Sequence, residues 1–532
     1  MTRQEDEKRY SLTWETHKNP WYFTLLLVIF FFVNMGYIGW LLAYILSGGL
    51  YAWIFFFVEL YRITFCAIAY YSMHTVTLPV HEAPHKKRTV DVLIPTLNED
   101  IEVLTKTITG ARDIKGVRDV FVLDDGNRPH VKELADSLGV KYGARTEHNH
   151  AKAGNMNFGL GLTDAEFIIT FDADHVGTPH FLERTLGYFN DPEVAFVQTP
   201  QVFYNRSSFQ HREVKGWDEW SEQTMFYDGL QPAKNTFNAA FYCGSSAILR
   251  RAAVDDVGGF ATGTATEDIH TAIRIHSKGW KSVFIPERLA YGLAPDDLKE
   301  YYRQRVRWGA GSLGLFFRTP DSPLRTKGLT LRQRLCYTDS MLGFMQGEVK
   351  LLYFCLPVGI LFTSAAHLPV SVSLLLFLHL LYLIFMGIMT YIYSRRTYHP
   401  IFTEQYNIAN IFSNIASLKG VIRIQKKFGV SIKTKKKMES SYIPFALMGF
   451  LGILTFAELY GLISGYFFSG KNFTFLLHTN AGLALFWNLY NIGMIGSFLY
   501  FIWKHQKRKV VNVEKLHIPV RGSAIAFSSA MQ

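Results

Sequence analysis

Two aspartates one residue apart, Asp172 and Asp174, close the run Phe167-Ile-Ile-Thr-Phe-Asp-Ala-Asp-His175. Carboxylates at that spacing offer oxygens to one hard divalent cation, and a cation held so carries a diphosphate. Taken alone, the pair equally suits a solvated turn. A second acidic pair, Glu267-Asp268, follows Thr266 and opens the helical pattern Ile269, Ala272, Ile273, Ile275. A carboxylate there either takes a proton from an attacking hydroxyl or favours the positive end of a helix. Gln304-Arg-Val-Arg-Trp308 joins fixed positive charge, suited to a leaving diphosphate, to an indole that suits the apolar face of a sugar. Lys152-Ala-Gly-Asn155 sets an ammonium beside a glycine, where backbone can approach a phosphate.

The elements that must position these groups are short β-branched and apolar runs at 90–94, 120–123, 167–171 and 194–197, separated by stretches long enough for helices. That alternation predicts a mostly parallel α/β sheet with ligands at the carboxyl ends of its strands. Thr96, Asn98 and Glu99 follow the first run, and Asp124 and Asp125 follow the second. They could hydrogen-bond a base and ribose, or serve as ordinary turn residues.

Around this segment the chain is apolar: of 532 residues, 49% are hydrophobic and 15% aromatic, which predicts a membrane component. Residues 21–46 run without a charge, long enough to cross a roughly 30 Å hydrocarbon core, and they read as an anchor, not a cleaved signal. A second span, 50–73, holds Glu59 and Arg62 one turn apart, able to pair, to snorkel or to face a polar interior. Further spans are expected at 336–363, 369–393, 441–466 and 475–502. The net charge of +11 is local: 395–440 carries ten Lys and Arg against Glu404 and Glu439, and His85-Lys-Lys-Arg88 follows the first two spans. Both stretches then face the cytoplasm and anionic lipid, and nucleic acid is not an expected partner. Cys66, Cys243, Cys336 and Cys355 form no C-x-x-C pair, which speaks against a zinc site or a disulfide framework.

The division expected is a tail and two spans (1–84), a cytoplasmic catalytic domain (85–325), two spans (326–394), a basic interfacial segment (395–440), two spans (441–503) and a short tail (504–532). The fold class is thus an α-helical membrane protein with a cytoplasmic α/β domain.

Asp-Asp-Gly at 124–126, Lys-Ala-Gly-Asn at 152–155, Phe-Asp-Ala-Asp-His at 171–175, Asn-Ala-Ala-Phe-Tyr-Cys-Gly-Ser at 238–245, Thr-Glu-Asp at 266–268 and Gln-x-x-Arg-Trp at 304–308 occur in one order. Together they resemble the processive family-2 glycosyltransferases that build β-linked polysaccharides, above all the bacterial cellulose synthase catalytic subunit. The resemblance implies a GT-A type catalytic domain and polymerisation of UDP-glucose with translocation of the growing polysaccharide across the plasma (inner) membrane. It places Thr96, Glu99 and Asp125 at the uridine and Lys152 near the diphosphate. It assigns Asp172 and Asp174 to Mg²⁺ or Mn²⁺, Asp268 to the general base and Arg307 to the departing UDP. Trp308, Cys243 and Gln304 would border the acceptor.

Phe428-Gly-Val-Ser-Ile-Lys433 resembles the family's gating loop, with Lys433 over the donor. Accessory envelope subunits are among the partners it allows. Two departures stand out: Gln201 ends Val197-Gln-Thr-Pro-Gln where His would be expected, which leaves the linkage open, and no cyclic-di-GMP-binding domain is recognised. The alternatives are a synthase of a curdlan-like, amino-sugar or uronic-acid polymer, and a transporter with a nucleotide-binding domain. A conduit for sugar should open on Tyr302, Trp308, Phe316 and Phe317, with Glu348 farther in.

Overall fold

The computed structural model describes residues 12–17, 20–45, 49–214, 217–363, 372–424, 441–463 and 480–507. Its β-branched runs form a seven-stranded sheet: β1 (Val90–Thr96), β2 (Asp119–Asp124), β3 (Lys141–Gly143), β4 (Phe167–Thr170), β5 (Val194–Gln198), β6 (Ala247–Arg250) and β7 (Lys281–Phe284). The spatial order is β7-β5-β6-β4-β1-β2-β3. Strands β4, β1, β2 and β3 are parallel neighbours, as are β5 and β7, while β6 runs antiparallel between β4 and β5. Every residue of β1, β4, β5 and β6 is buried, as expected of strands covered on both faces. The pairing of Thr96 with Asp124 and of Leu93 with Thr170 brings the carboxyl ends of β1, β2 and β4 to one edge.

The helices used below are α1 (Trp21–Ile45), α2 (Leu50–Met73), α3 (Ala151–Leu162), α4 (Glu267–Ser277), α5 (Leu298–Arg318), α6 (Leu331–Leu342), α7 (Gln346–Thr363), α8 (Val372–Tyr393), α9 (Pro400–Ser417), α10 (Ile443–Ile463) and α11 (Asn480–Gln506). Among the described residues, four helical stretches are long and apolar enough to cross a membrane: Trp21–Ala43, Ala52–Met73, Ile443–Ile463 and Ala484–Gln506. Their outward faces carry exposed Phe31, Phe32, Phe57, Phe445, Phe456 and Leu489, a surface suited to lipid tails.

One expected span is corrected. Residues 336–363 do not form a single helix: α6 ends at Leu342, a 3-10 turn spans Gly343–Met345, and α7 begins at Gln346. Helix α6 is anchored at its start by a Thr330–Gln333 capping box, and its Asp339 is buried 3.9 Å from the buried ammonium of Lys234. An ion pair within protein is tolerated where a charge against hydrocarbon would not be. Glu59 and Arg62 do pair, at 2.6 Å, and the hydroxyls of Tyr353 and Tyr382 join them from α7 and α8. Helix α9 packs against α5 and α7, and Tyr406, Ile408 and Ile411 are buried in that contact.

Candidate active site

At the ends of β1 and β2 the polar residues are fixed by two arginines that local pattern does not single out. Arg145 grips Asp125 through both nitrogens, Nε to Oδ1 at 2.5 Å and Nη2 to Oδ2 at 2.7 Å. Arg128 donates to Thr96 Oγ1 at 2.7 Å and to the Glu99 carbonyl at 2.9 Å. Thr96 in turn donates to Glu99 Oε2 at 2.6 Å. Bidentate guanidinium–carboxylate pairs set orientation as well as charge, so Asp125 is held in one pose beside the cavity.

The chain leaves β4 through Phe171 and turns back at Asp172, whose backbone N–H donates to Ser245 Oγ at 2.9 Å. Asp172, Asp174 and His175 each offer a ligand atom, and these lie within 4.8 Å of one another. His175 is buried with Nδ1 3.1 Å from Asp174 Oδ1. Its proximity follows from the turn, not from any spacing rule for metal ligands. Lys152, on the first turn of α3, donates to Asp172 Oδ1 at 2.5 Å and to the Gly244 carbonyl at 2.9 Å, and lies 3.6 Å from Glu267 Oε1. Burial would pull the ammonium down, but Asp172 and Glu267 raise it above its ordinary range. Burial would likewise push Asp172 up, yet Lys152 and His175 hold it below the usual carboxylate range. Asp172 is therefore ionised, and Lys152 occupies only its Oδ1. Two carboxylates and an imidazole converging beside Lys152 in the cavity fit a hard divalent cation.

Facing them is the amino end of α4. Asp268 Oδ1 accepts the Ile269 N–H at 2.8 Å, and burial followed by the neighbouring Glu267 pushes its carboxyl up to about 7. The Lys152 and Arg307 charges work against that rise without cancelling it. A carboxyl titrating there is poised for proton transfer near neutrality. Gly244 separates Lys152 from Asp268: its φ of +85° is in the left-handed region, and a Cβ would stand 3.2 Å from both Lys152 Nζ and Asp268 Oδ2.

Helix α5 brings Gln304, Arg307 and Trp308 to the same space. Buried Arg305 stacks 4.4 Å over the Trp308 ring and pairs with half-buried Glu222, which fixes the indole. Gln304 Oε1 accepts from Gln210 Nε2 at 3.1 Å. Cys243 is oriented through its backbone, with its N–H on Gln198 Oε1 at 2.8 Å and its carbonyl accepting from Gln201 Nε2 at 2.7 Å. Burial raises the thiol above its ordinary range, so it borders the cavity as a neutral group.

Thr96, Glu99, Asp125, Lys152, Asp172, Asp174, Cys243, Asp268, Gln304, Arg307 and Trp308 all line one cavity of about 550 Å³. It continues among the helices, past Gln346 and Gly347 of α7 and along Thr403, Asn407, Asn410 and Asn414 of α9. Lys433 and its loop lie outside the described residues. Of the aromatics expected at the conduit's mouth only Trp308 lines the cavity. Phe316 and Phe317 instead pack with Tyr337 and Met341 in the apolar core, and Tyr302 meets Tyr442 edge-on at 5.8 Å. Glu348 does not line it either, and Lys350 pairs with Glu404 of α9. The amide stripe of α9 and the backbone contacts of Gln201 were not legible, because both depend on which face a neighbour leaves open.

Residues 167–391 match the Glycosyl transferase family group 2 profile. The chain is 32% identical over 454 residues to the cellulose synthase 1 catalytic subunit (UDP-forming) of Komagataeibacter xylinus, covering 81% of this chain and 60% of that protein. It is 40% identical over 290 residues to the cellulose synthase catalytic subunit (UDP-forming) of Pseudomonas fluorescens, covering 53% of this chain and 38% of that one. Among solved structures it is similar to a mannosyltransferase from Pyrobaculum calidifontis, at a TM-score of 0.46 and 16% identity, over 64% of this chain and 89% of that chain. The chain thus spans about three fifths or less of the length of these curated relatives.

Proposed function

We propose, from the cellulose-synthase-like, family-2 character that the chain shares with these relatives, that it is a membrane-embedded inverting glycosyltransferase. It extends a β-linked glucan processively from UDP-glucose at the cytoplasmic face and passes the product outward between its own helices. The observation that carries this reading is the single cavity in which the Asp125, Lys152 and Asp172 side meets Asp268, Arg307 and Trp308, and which then runs on along the amide stripe of α9.

Thr96, Glu99 and Asp125 lie where they would receive the base and ribose, and Lys152 where it would meet the diphosphate. Asp172, Asp174 and His175 would hold a divalent cation, which when bound supplies Lewis-acid charge to the diphosphate. Trp308 offers its face to the terminal acceptor sugar while Cys243 and Gln201 border that ring. As the acceptor oxygen bonds to the anomeric carbon, the bond from that carbon to the diphosphate oxygen breaks, and the hydroxyl proton passes to Asp268. Arg307 offsets charge growing on the departing UDP. The uncharged Asn407, Asn410 and Asn414 suit hydroxyl edges of a threading chain better than they suit an ion.

The test is to incubate purified protein in detergent with individual UDP-sugars and Mn²⁺ or Mg²⁺, then to treat any product with linkage-specific glucanases. Polymer from UDP-glucose that a β-1,4-glucanase digests supports the reading. UDP binding without consumption of any UDP-sugar overturns it.

A further inference from the structure

Helix α4 carries Asp268 in its first turn, and its N-cap residue Thr266 makes no side-chain capping bond. Something else must hold the helix in register with α5, which brings Arg307 and Trp308. Helix α5 and the loop that leaves it do so at three levels. At the front, Gly311 of α5 lies so close to Thr266 that a Cβ would stand 2.7 Å from its Cγ2 and 3.2 Å from its backbone nitrogen. In the middle, Asp321 Oδ2 is 2.8 Å from His270 Nε2 and accepts from Arg274 Nε at 2.9 Å. At the back, Gly328 has φ +90°, and a Cβ there would stand 2.0 Å from the Ser277 carbonyl oxygen.

The middle contact is the polar one. His270 is buried, and its Nδ1 is 3.2 Å from Thr264 Oγ1, so both ring nitrogens are engaged. Hydrogen bonding to His270 holds the Asp321 carboxyl down at about 2. An ionised carboxylate accepts only, so Nε2 carries the proton and donates. The loop itself is braced by Arg325 on the carbonyls of Thr319 and Phe317 and by Arg334 on that of Thr326. Asp321 therefore stands on a rigid support and reaches two successive turns of α4.

We infer that Asp321 is a positioning residue, a clasp through His270 and Arg274 that fixes the rotation and height of α4 so that Asp268 faces the acceptor beside Arg307 and Trp308. Asp321 does not line the cavity and touches no reacting group. Small displacements of a base out of line cost transfer rate while leaving the donor's contacts intact, because Thr96, Glu99 and Asp125 belong to other elements.

This inference rests on the glucan-synthase reading, and the test separates the two. Wild type, Asp321→Ala and Asp321→Asn are purified in detergent and assayed for UDP-glucose turnover, donor KM and thermal midpoint. Wild type that turns over no UDP-sugar rejects the parent reading. With active wild type, Asp321→Ala is expected to lose about tenfold or more in kcat with donor KM within about twofold. Asp321→Asn, whose amide oxygen still accepts the His270 proton, should recover part of that loss. Unchanged kcat in Asp321→Ala overturns the clasp, as does a parallel change in kcat, KM and midpoint. Should Asp321→Ala not fold, His270→Gln is set against His270→Leu. Gln keeps a donor toward Asp321 and should retain the higher kcat, and equal values would overturn the inference.

Discussion

Lys152 donates to Asp172 at 2.5 Å, tying the first turn of α3 to the turn that follows β4. A single ammonium thus serves two carboxylates, Asp172 and Glu267, on opposite sides of the cleft. Replacing it by methionine leaves both without their shared cation and should lower turnover by about a hundredfold and raise donor KM. Arginine should not restore activity, since a planar fork cannot take the place of a compact buried ammonium. Steady-state kinetics on Lys152→Met and Lys152→Arg checks both statements.

Asp268 supplies a prediction with a sign. Its carboxyl is pushed up to about 7 by burial and by Glu267, so turnover at saturating UDP-glucose should climb with pH through a midpoint near that value. The folded carboxyl sits above its unfolded range, so its contribution to stability is full below the unfolded pKa and is lost as pH rises through the folded one. Asp268→Asn should then abolish polymer while binding UDP within a few fold, and at pH 8 it should melt no lower than wild type. A capping role alone would instead cost about 1 kcal/mol of stability and spare the activity. Calorimetry and product assay on one preparation distinguish them.

Removal of metal should stop synthesis. EDTA is expected to abolish turnover, and Mn²⁺ or Mg²⁺ to restore it, because the diphosphate needs a hard cation held on carboxylates. Asp174→Ala should resist that rescue at any concentration of added metal. Calorimetric titration of UDP should show cation-dependent binding to wild type and none of that dependence in Asp174→Ala. Full activity after exhaustive chelation would return Asp172 and Asp174 to the status of turn residues.

The amide stripe of α9 can be tested by coupling. In sealed vesicles with the catalytic side outward, UDP-glucose added outside should yield polymer shielded from added glucanase until detergent is supplied. Asn410→Leu and Asn414→Leu should shorten that polymer while leaving the first transfers near wild-type rate, because an apolar side chain cannot replace hydrogen bonds to passing hydroxyls. Polymer digestible from the outset in intact vesicles would remove translocation from the function.

The sequence by itself determined the kinds of element and their order. Short β-branched and apolar runs mark β1, β2, β4 and β5 within a residue or two, and polar residues follow them at the strands' carboxyl ends, because local patterning fixes which residues a strand must bury. The charge-free run at 21–46 and the apolar run at 50–73, whose Glu59 and Arg62 pair with each other, likewise declare helices α1 and α2, since hydrocarbon demands length and apolarity. Eleven candidate site residues from separate segments reach one cavity, most of them at the ends of strands and helices and Gln304, Arg307 and Trp308 on the middle turns of α5.

What only the tertiary structure decided is which partner each exposed or buried face meets. Arg145 finds Asp125 across twenty residues and Arg128 finds Thr96 across thirty-two, distances over which no periodicity speaks. Phe316 and Phe317 carry the same aromatic signal as Trp308, yet they turn into the core while Trp308 turns to the cavity, since one helix has several faces and its neighbours choose among them. Helix α6 stops at Leu342, and its Asp339 is buried beside Lys234 from a distant segment, a counter-charge that sequence alone could not foresee. Local physics sets which surface must be covered, and the packing of distant segments sets what covers it.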